Sequence, residues 1–177
     1  MFRVALIGHS LLPTRLYLRD LPTVETEIHR YPGATIDDLT ARLTETEFWT
    51  KRYDGIIVCI GGNDLATFSV DETFDRICNL ARRLRPITTF LTFCTIEYRL
   101  YPSENRFGII QREYRRKANV VNRRIKRFMR SVEAKILDLG RRCFTLQRGR
   151  DGVHFNSSGQ ITFQYHIHRV ISAFVQR

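Results

Sequence analysis

Ser10, Asp151 and His154 are the residue types of a serine nucleophile, a carboxylate and a general base, and two of them are locally spaced to work together. A serine hydroxyl is a weak nucleophile until a neighbouring base takes its proton. In Asp151-Gly152-Val153-His154 a carboxylate lies three residues before an imidazole, across a glycine. A curl of that loop lets Asp151 accept from one ring nitrogen while the other faces a serine. Ser10 stands in Gly8-His9-Ser10-Leu11, directly after an apolar run, where its hydroxyl and its own amide can project into a cleft. Each segment also has an ordinary reading: Ser10 as the N-cap of a helical turn, and 151–154 as an exposed loop with a chance histidine.

Two more segments could stabilise an oxyanion. In Tyr31-Pro32-Gly33-Ala34 the glycine offers an unshielded amide. In Gly61-Gly62-Asn63-Asp64 the glycines allow a tight loop and Asn63 supplies a side-chain amide. Loss of one such donor typically costs about 2.7–4 kcal/mol of transition-state stabilisation. The ordinary readings are a turn ahead of a helix for Gly33, and helix capping by Asn63 or Asp64.

The elements that must position these residues read as a mainly parallel α/β sheet, because apolar runs alternate with helical patterns. Strands are expected at Phe2–Ile7, Val24–His29, Gly55–Ile60, Thr88–Thr95 and Lys135–Leu139. Helices are expected at Thr35–Leu43, Val70–Leu84, Gln111–Ala134 and Ser157–Val175, the last with Ser157 as candidate N-cap. Ile96–Gly108 reads as a loop whose tyrosines and arginines suit a rim or lid. With no repeat or linker, residues 1–177 read as one domain, a flavodoxin-like three-layer α/β/α fold around a five-stranded sheet. In such sheets ligands sit beyond the carboxyl ends of the strands. All four chemical segments fall there, in the order nucleophile, amide donor, amide donor, acid and base.

On these residues the sequence resembles the SGNH (GDSL-type) hydrolases. The family's Gly-Asp-Ser block reads Gly8-His9-Ser10; its lone glycine is Gly33; its Gly-x-Asn-Asp block is Gly61-Gly62-Asn63-Asp64; its Asp-x-x-His block is Asp151-Gly152-Val153-His154. The resemblance implies a catalytic triad of Ser10, His154 and Asp151. It implies an oxyanion hole from the amides of Ser10 and Gly33 with the Asn63 side chain, and no metal or organic cofactor. The departure is His9, where the family has an aspartate; the triad survives it, but the Ser10 loop must be held differently. More loosely, small basic members of this kind resemble the esterase domains of non-LTR retrotransposon first-open-reading-frame proteins. The pattern G-x-S-x-G is absent, since Leu12 occupies its second glycine.

The expected activity is hydrolysis of acyl esters, short-chain (acetyl) or lipid, with a rate that rises as His154 loses its proton. A lipase-like variant would use Tyr98 to Tyr114 as an acyl groove or lid. The rival from another class is a binding module with little turnover, motivated by the formal net charge of +11. Arg112, Arg115, Arg116, Lys117, Arg123, Arg124, Lys126, Arg127 and Arg130 stand on one helix against only Glu113. Ala118, Val121, Ile125, Phe128 and Val132 would face the core, leaving a cationic outer face for nucleic acid or an anionic membrane. Cys59, Cys78, Cys94 and Cys143 are too dispersed for a zinc site and read as buried free thiols. His166 and His168, two apart on a helix, read as surface residues. No signal peptide or membrane span is recognisable, so an intracellular, cytoplasmic setting is expected. A first strand starting beside Met1 suggests a domain cut from a longer chain.

Overall fold

The structure is a computed structural model describing residues 1–18, 20–21, 23–100, 108, 110–140 and 147–176. Five strands form one sheet: β1 (Phe2–Gly8), β2 (Val24–Arg30), β3 (Tyr53–Cys59), β4 (Thr88–Cys94) and β5 (Lys135–Leu137). All neighbours are parallel, in the order β2-β1-β3-β4-β5. This is the flavodoxin-like order, in which the chain reverses direction of winding between β1 and β3 and leaves a crevice there.

Strand alternation explains the layers. Ala5, Ile7, Ile56, Val58, Leu91 and Phe93 point into one core, and Val4, Leu6, Ile57, Cys59 and Cys94 into the other. A strand buried on both faces reads as an unbroken apolar run, which is what Val4–Ile7 and Ile56–Cys59 are. β2 alternates instead and lies at the sheet edge. The first core is closed by helices α1 (Ile36–Thr44), α3 (Val70–Leu84) and α4 (Gln111–Ser131), the second by α5 (Ser157–Val175) and the segment around Leu11–Leu21. Burying each such Leu, Ile or Phe side chain contributes roughly 1.5–3 kcal/mol.

Several boundaries and faces differ from the sequence reading. A short helix α2 (Gly62–Thr67) follows β3 after only Ile60 and Gly61, too short to leave a periodic signal. The N-cap of α5 is Asn156, whose Oδ1 accepts from the Gly159 amide at 2.9 Å, and Ser157 is already the first helical residue. On α4 the buried face is Tyr114, Ala118, Val121, Asn122, Ile125 and Met129, while Phe128 and Val132 are only half-buried. Asn122 is buried because both ends of its amide are used: Nδ2 donates to Ile96 O and Oδ1 accepts from Ile96 N, each at 2.8 Å. Cys59, Cys78 and Cys94 are buried free thiols, and Cys143 lies outside the described residues. His166 and His168 are half-buried rather than on the surface.

Candidate active site

The loop after β1 carries Ser10 and is tied down from three sides. The Leu12 amide donates to His9 O at 3.2 Å, closing a tight turn. The Leu11 amide donates to His9 Nδ1 at 3.3 Å. Arg30, at the end of β2, donates to Leu12 O at 2.9 Å and to Ser10 O at 3.1 Å. His9 therefore helps hold the Ser10 loop, through its Nδ1.

Residues 147–156 form a second closed loop. The Gly149 amide donates to His154 O at 2.7 Å, and the Asn156 amide to Gln147 O at 3.0 Å. Arg148, almost fully buried, donates from Nη1 to Val153 O at 2.6 Å. His154 so presented reaches both ways: Nε2 lies 2.7 Å from Ser10 Oγ, and Nδ1 lies 2.5 Å from Asp151 Oδ2. Asp151 Oδ1 accepts from the amides of Val153 and His154 at 3.0 Å each. Burial alone would raise the Asp151 carboxyl, but the His154 ring and those two amides outweigh it and hold it below the usual carboxylate range. An ionised Asp151 fixes the tautomer with the proton on Nδ1, leaving Nε2 to accept from Ser10. The side chains of His154 and Asp151 are about half exposed, at 48% and 51%, so both face open solvent.

The two oxyanion segments also arrive at this edge. Tyr31–Ala34 is a turn closed by the Ala34 amide on Tyr31 O at 3.2 Å, with Pro32 followed by Gly33 at φ 80°. That pairing is the type II pattern, and the left-handed φ is why the residue is glycine. No acceptor among the described residues takes the amides of Ser10 or Gly33. Asn63, in the first turn of α2, donates from Nδ2 to Ala34 O at 3.0 Å, which leaves its second amide hydrogen free.

What fixes Asn63 was not visible as a motif. Its Oδ1 accepts from Arg99 Nη2 at 3.0 Å, and Arg99 Nε in turn donates to Glu97 Oε1 at 2.8 Å. Glu97 and Arg99 are 1% and 4% exposed, beneath the site. A Cβ at Gly62 would lie 2.3 Å from Arg99 Nη2 and 2.5 Å from Glu97 Oε1, so the second glycine of Gly61-Gly62 makes room for this ion pair. Burial would raise the Glu97 carboxyl, but the surrounding positive charge, led by the Arg99 guanidinium, overcomes it and brings it down to about 2. Burial acts on His9 in the other direction, lowering it to about 4 against the pull of Glu97. His9 is thus a neutral spacer and Glu97–Arg99 the charged pair. Asp64 caps neither its own helix nor the next one: its carboxylate accepts from the Ile36 amide at the start of α1, at 3.1 and 3.2 Å, and so docks the turn bearing Gly33.

The expected rim or lid at Ile96–Gly108 is corrected in part. Ile96, Glu97 and Arg99 are buried structural parts of the site, because their backbone continues β4 into the core; residues 101–107 lie outside the described residues. Tyr114, expected in an acyl groove, is 1% exposed with its hydroxyl 3.4 Å from Gly62 O and Glu97 O. Among the described residues there is no group of three His, Cys, Asp or Glu side chains able to hold a metal ion, and no helix long and apolar enough to cross a membrane.

No protein-family model and no curated protein matches the chain. Solved structures do. A lipase/acylhydrolase from Enterococcus faecalis superposes with TM-score 0.75 at 18% identity, covering 98% of this chain and 96% of that one. A GDSL-like lipase from Bacteroides thetaiotaomicron gives 0.72 at 17%, covering 97% and 88%. An acetylxylan esterase from Geobacillus stearothermophilus gives 0.72 at 16%, covering 95% and 93%, and variants of that esterase described as catalytic mutants alter a serine and an aspartate. With its parallel order, its crevice at β1 and β3 and these superpositions, the chain has the SGNH (GDSL-type) hydrolase fold.

Proposed function

We propose that the chain is a serine ester hydrolase, a single domain acting on short-chain acyl esters such as acetyl esters. The observation that carries this is the unbroken line from Ser10 Oγ through His154 to Asp151, at 2.7 and 2.5 Å. Ser10 Oγ attacks the ester carbonyl as His154 Nε2 takes its proton. The developing oxyanion is met by the amides of Ser10 and Gly33 and the free hydrogen of Asn63 Nδ2. Collapse breaks the bond to the alcohol, which leaves with the proton from His154. Water then attacks the acyl-serine with His154 again as base, releasing the acid and restoring Ser10. Asp151 stabilises the imidazolium in both halves.

Donors aimed at the oxyanion act best when their orientation is fixed before reaction. Here Glu97 holds Arg99 and Arg99 holds Asn63, so the amide has little freedom to turn away. The chemistry printed for the solved structures, lipase, acylhydrolase and acetylxylan esterase, supports an acyl ester as substrate. Burial of Tyr114 takes that side chain out of an acyl groove, which supports a short acyl chain. A fold kept only for binding has no need of a bonded triad, so turnover is the preferred reading.

The test is hydrolysis of para-nitrophenyl acetate and its longer homologues by the wild type and Ser10→Ala. The expected result is a rate that declines with chain length and a loss of at least about 10⁴-fold in the variant. Equal rates in the two proteins would refute the assignment.

A further inference from the structure

The basic helix resolves into a line. Of the nine basic side chains on α4, Lys117 pairs with Glu113 at 3.5 Å, Arg124 with Asp71 at 2.5 Å and Lys126 with Asp138 at 2.6 Å, and Arg115 lies 5.3 Å from the Tyr98 ring centre. The cationic face is therefore narrower than the sequence implied. Arg112, Arg116, Arg123, Arg127 and Arg130 are exposed and have no ion pair among the described residues. Their spacings of four, seven, four and three residues put all five within about 60° of arc on a helix, along a line about 27 Å long. The one gap is filled by Asn119, also exposed. Beside the middle of the line lies a groove of about 510 Å³, bounded by Tyr98, Arg116, Asn119, Arg123 and Lys126.

The composition of the line selects its partner. Unneutralised like charges on one helix face cost stability, so an anion that spans them recovers it. All five are arginines, whose planar guanidinium binds phosphate through two parallel hydrogen bonds. A surface-lying membrane helix needs an apolar side to insert. On α4 that side is committed to the core, and Ile110, just before its first turn, is exposed. A linear polyanion matches such a line, whereas a bilayer would meet it only through headgroup charge, with nothing inserted. The half-buried Tyr98 forms one wall of the groove, with Arg115 over its ring.

We propose that this line binds the phosphodiester backbone of a single-stranded nucleic acid. The proposal is independent of the hydrolase reading, since none of the five arginines belongs to the triad or the oxyanion donors.

The experiment is fluorescence-anisotropy titration of a labelled oligouridylate across salt concentration. Five phosphate contacts predict a slope of log affinity against log salt of about −3.5. Reversing three of them (Arg116→Glu, Arg123→Glu, Arg127→Glu) should weaken binding at least about tenfold at low salt and reduce the slope by about 2. A control reversing the same charge off the line, at the exposed Arg52, Arg83 and Arg169, should retain tight binding and the full slope. Arg123→Gln, a single exposed change, supplies a readout should the triple variant fail to fold, and should reduce the slope by roughly 0.7. No binding at low salt, equal loss in both triple variants, or binding to phosphatidylserine vesicles but not to the oligonucleotide would each overturn the proposal.

Discussion

Arg99 Nη2 donates to Asn63 Oδ1 at 3.0 Å from a position almost wholly beneath the surface, while Glu97 holds its Nε at 2.8 Å. The proposed oxyanion donor is thus backed by an ion pair that is buried. Such an arrangement separates the residue that touches the oxyanion from the residue that aims it.

Asn63→Ala is expected to lower kcat by about 10²–10³-fold with little change in KM, as for other oxyanion-hole donors. Arg99→Lys keeps the charge against Glu97 but loses the second branch of the fork, so a smaller fall in kcat is expected. Combining the two should be no worse than Asn63→Ala alone, because both act through one hydrogen. Steady-state kinetics on para-nitrophenyl acetate measure all three; additive losses would show that Arg99 acts elsewhere.

Acid sensitivity follows from His9. Its pKa falls from 6.5 to about 4 on folding, chiefly through burial. Between those values the unfolded chain binds more protons than the folded one, so stability falls as pH drops through that window, by on the order of 3 kcal/mol in all. His9→Asn keeps an acceptor for the Leu11 amide and removes the titration. Urea unfolding at pH 4.5 and 7 should show this fall in the wild type and a smaller one in the variant.

Asp64 works in the opposite sense. Burial raises its carboxyl from 3.8 to about 6, against the Ile36 amide and Arg76. Between these values the folded chain holds the extra proton, so this contribution to stability is present below pH 3.8 and is lost as pH rises through 6. It partly masks the His9 effect between pH 4 and 6. Asp64→Asn retains an acceptor for Ile36 and should steepen the rise of stability with pH across that window, as read by urea midpoints at half-unit steps.

The proximity of Ser10, His154 and Asp151 was legible because Asp151 and His154 are close in sequence and Ser10 follows an apolar run, so strand order alone brings them to one edge. The sheet was legible for the same reason: Val4–Ile7 and Ile56–Cys59 are apolar on both faces. Glu97, Arg99 and Arg148 were not, because buried charges look like surface charges in a sequence until their partners are known. The position of Glu97 and Arg99 just after β4, at the ligand-binding edge, was the available signal. α4 misled in a second way: Asn122 is polar yet buried because its amide bonds both backbone groups of Ile96, and Phe128 is apolar yet half-buried.

The most direct test of the catalytic reading is covalent. A fluorophosphonate probe should react once with the wild type, Ser10 Oγ displacing fluoride to form a phosphonyl-serine that peptide mass spectrometry places at Ser10. Ser10→Ala should take no label, and His154→Ala should be labelled far more slowly. Labelling at another residue, or unchanged labelling of Ser10→Ala, would contradict the account.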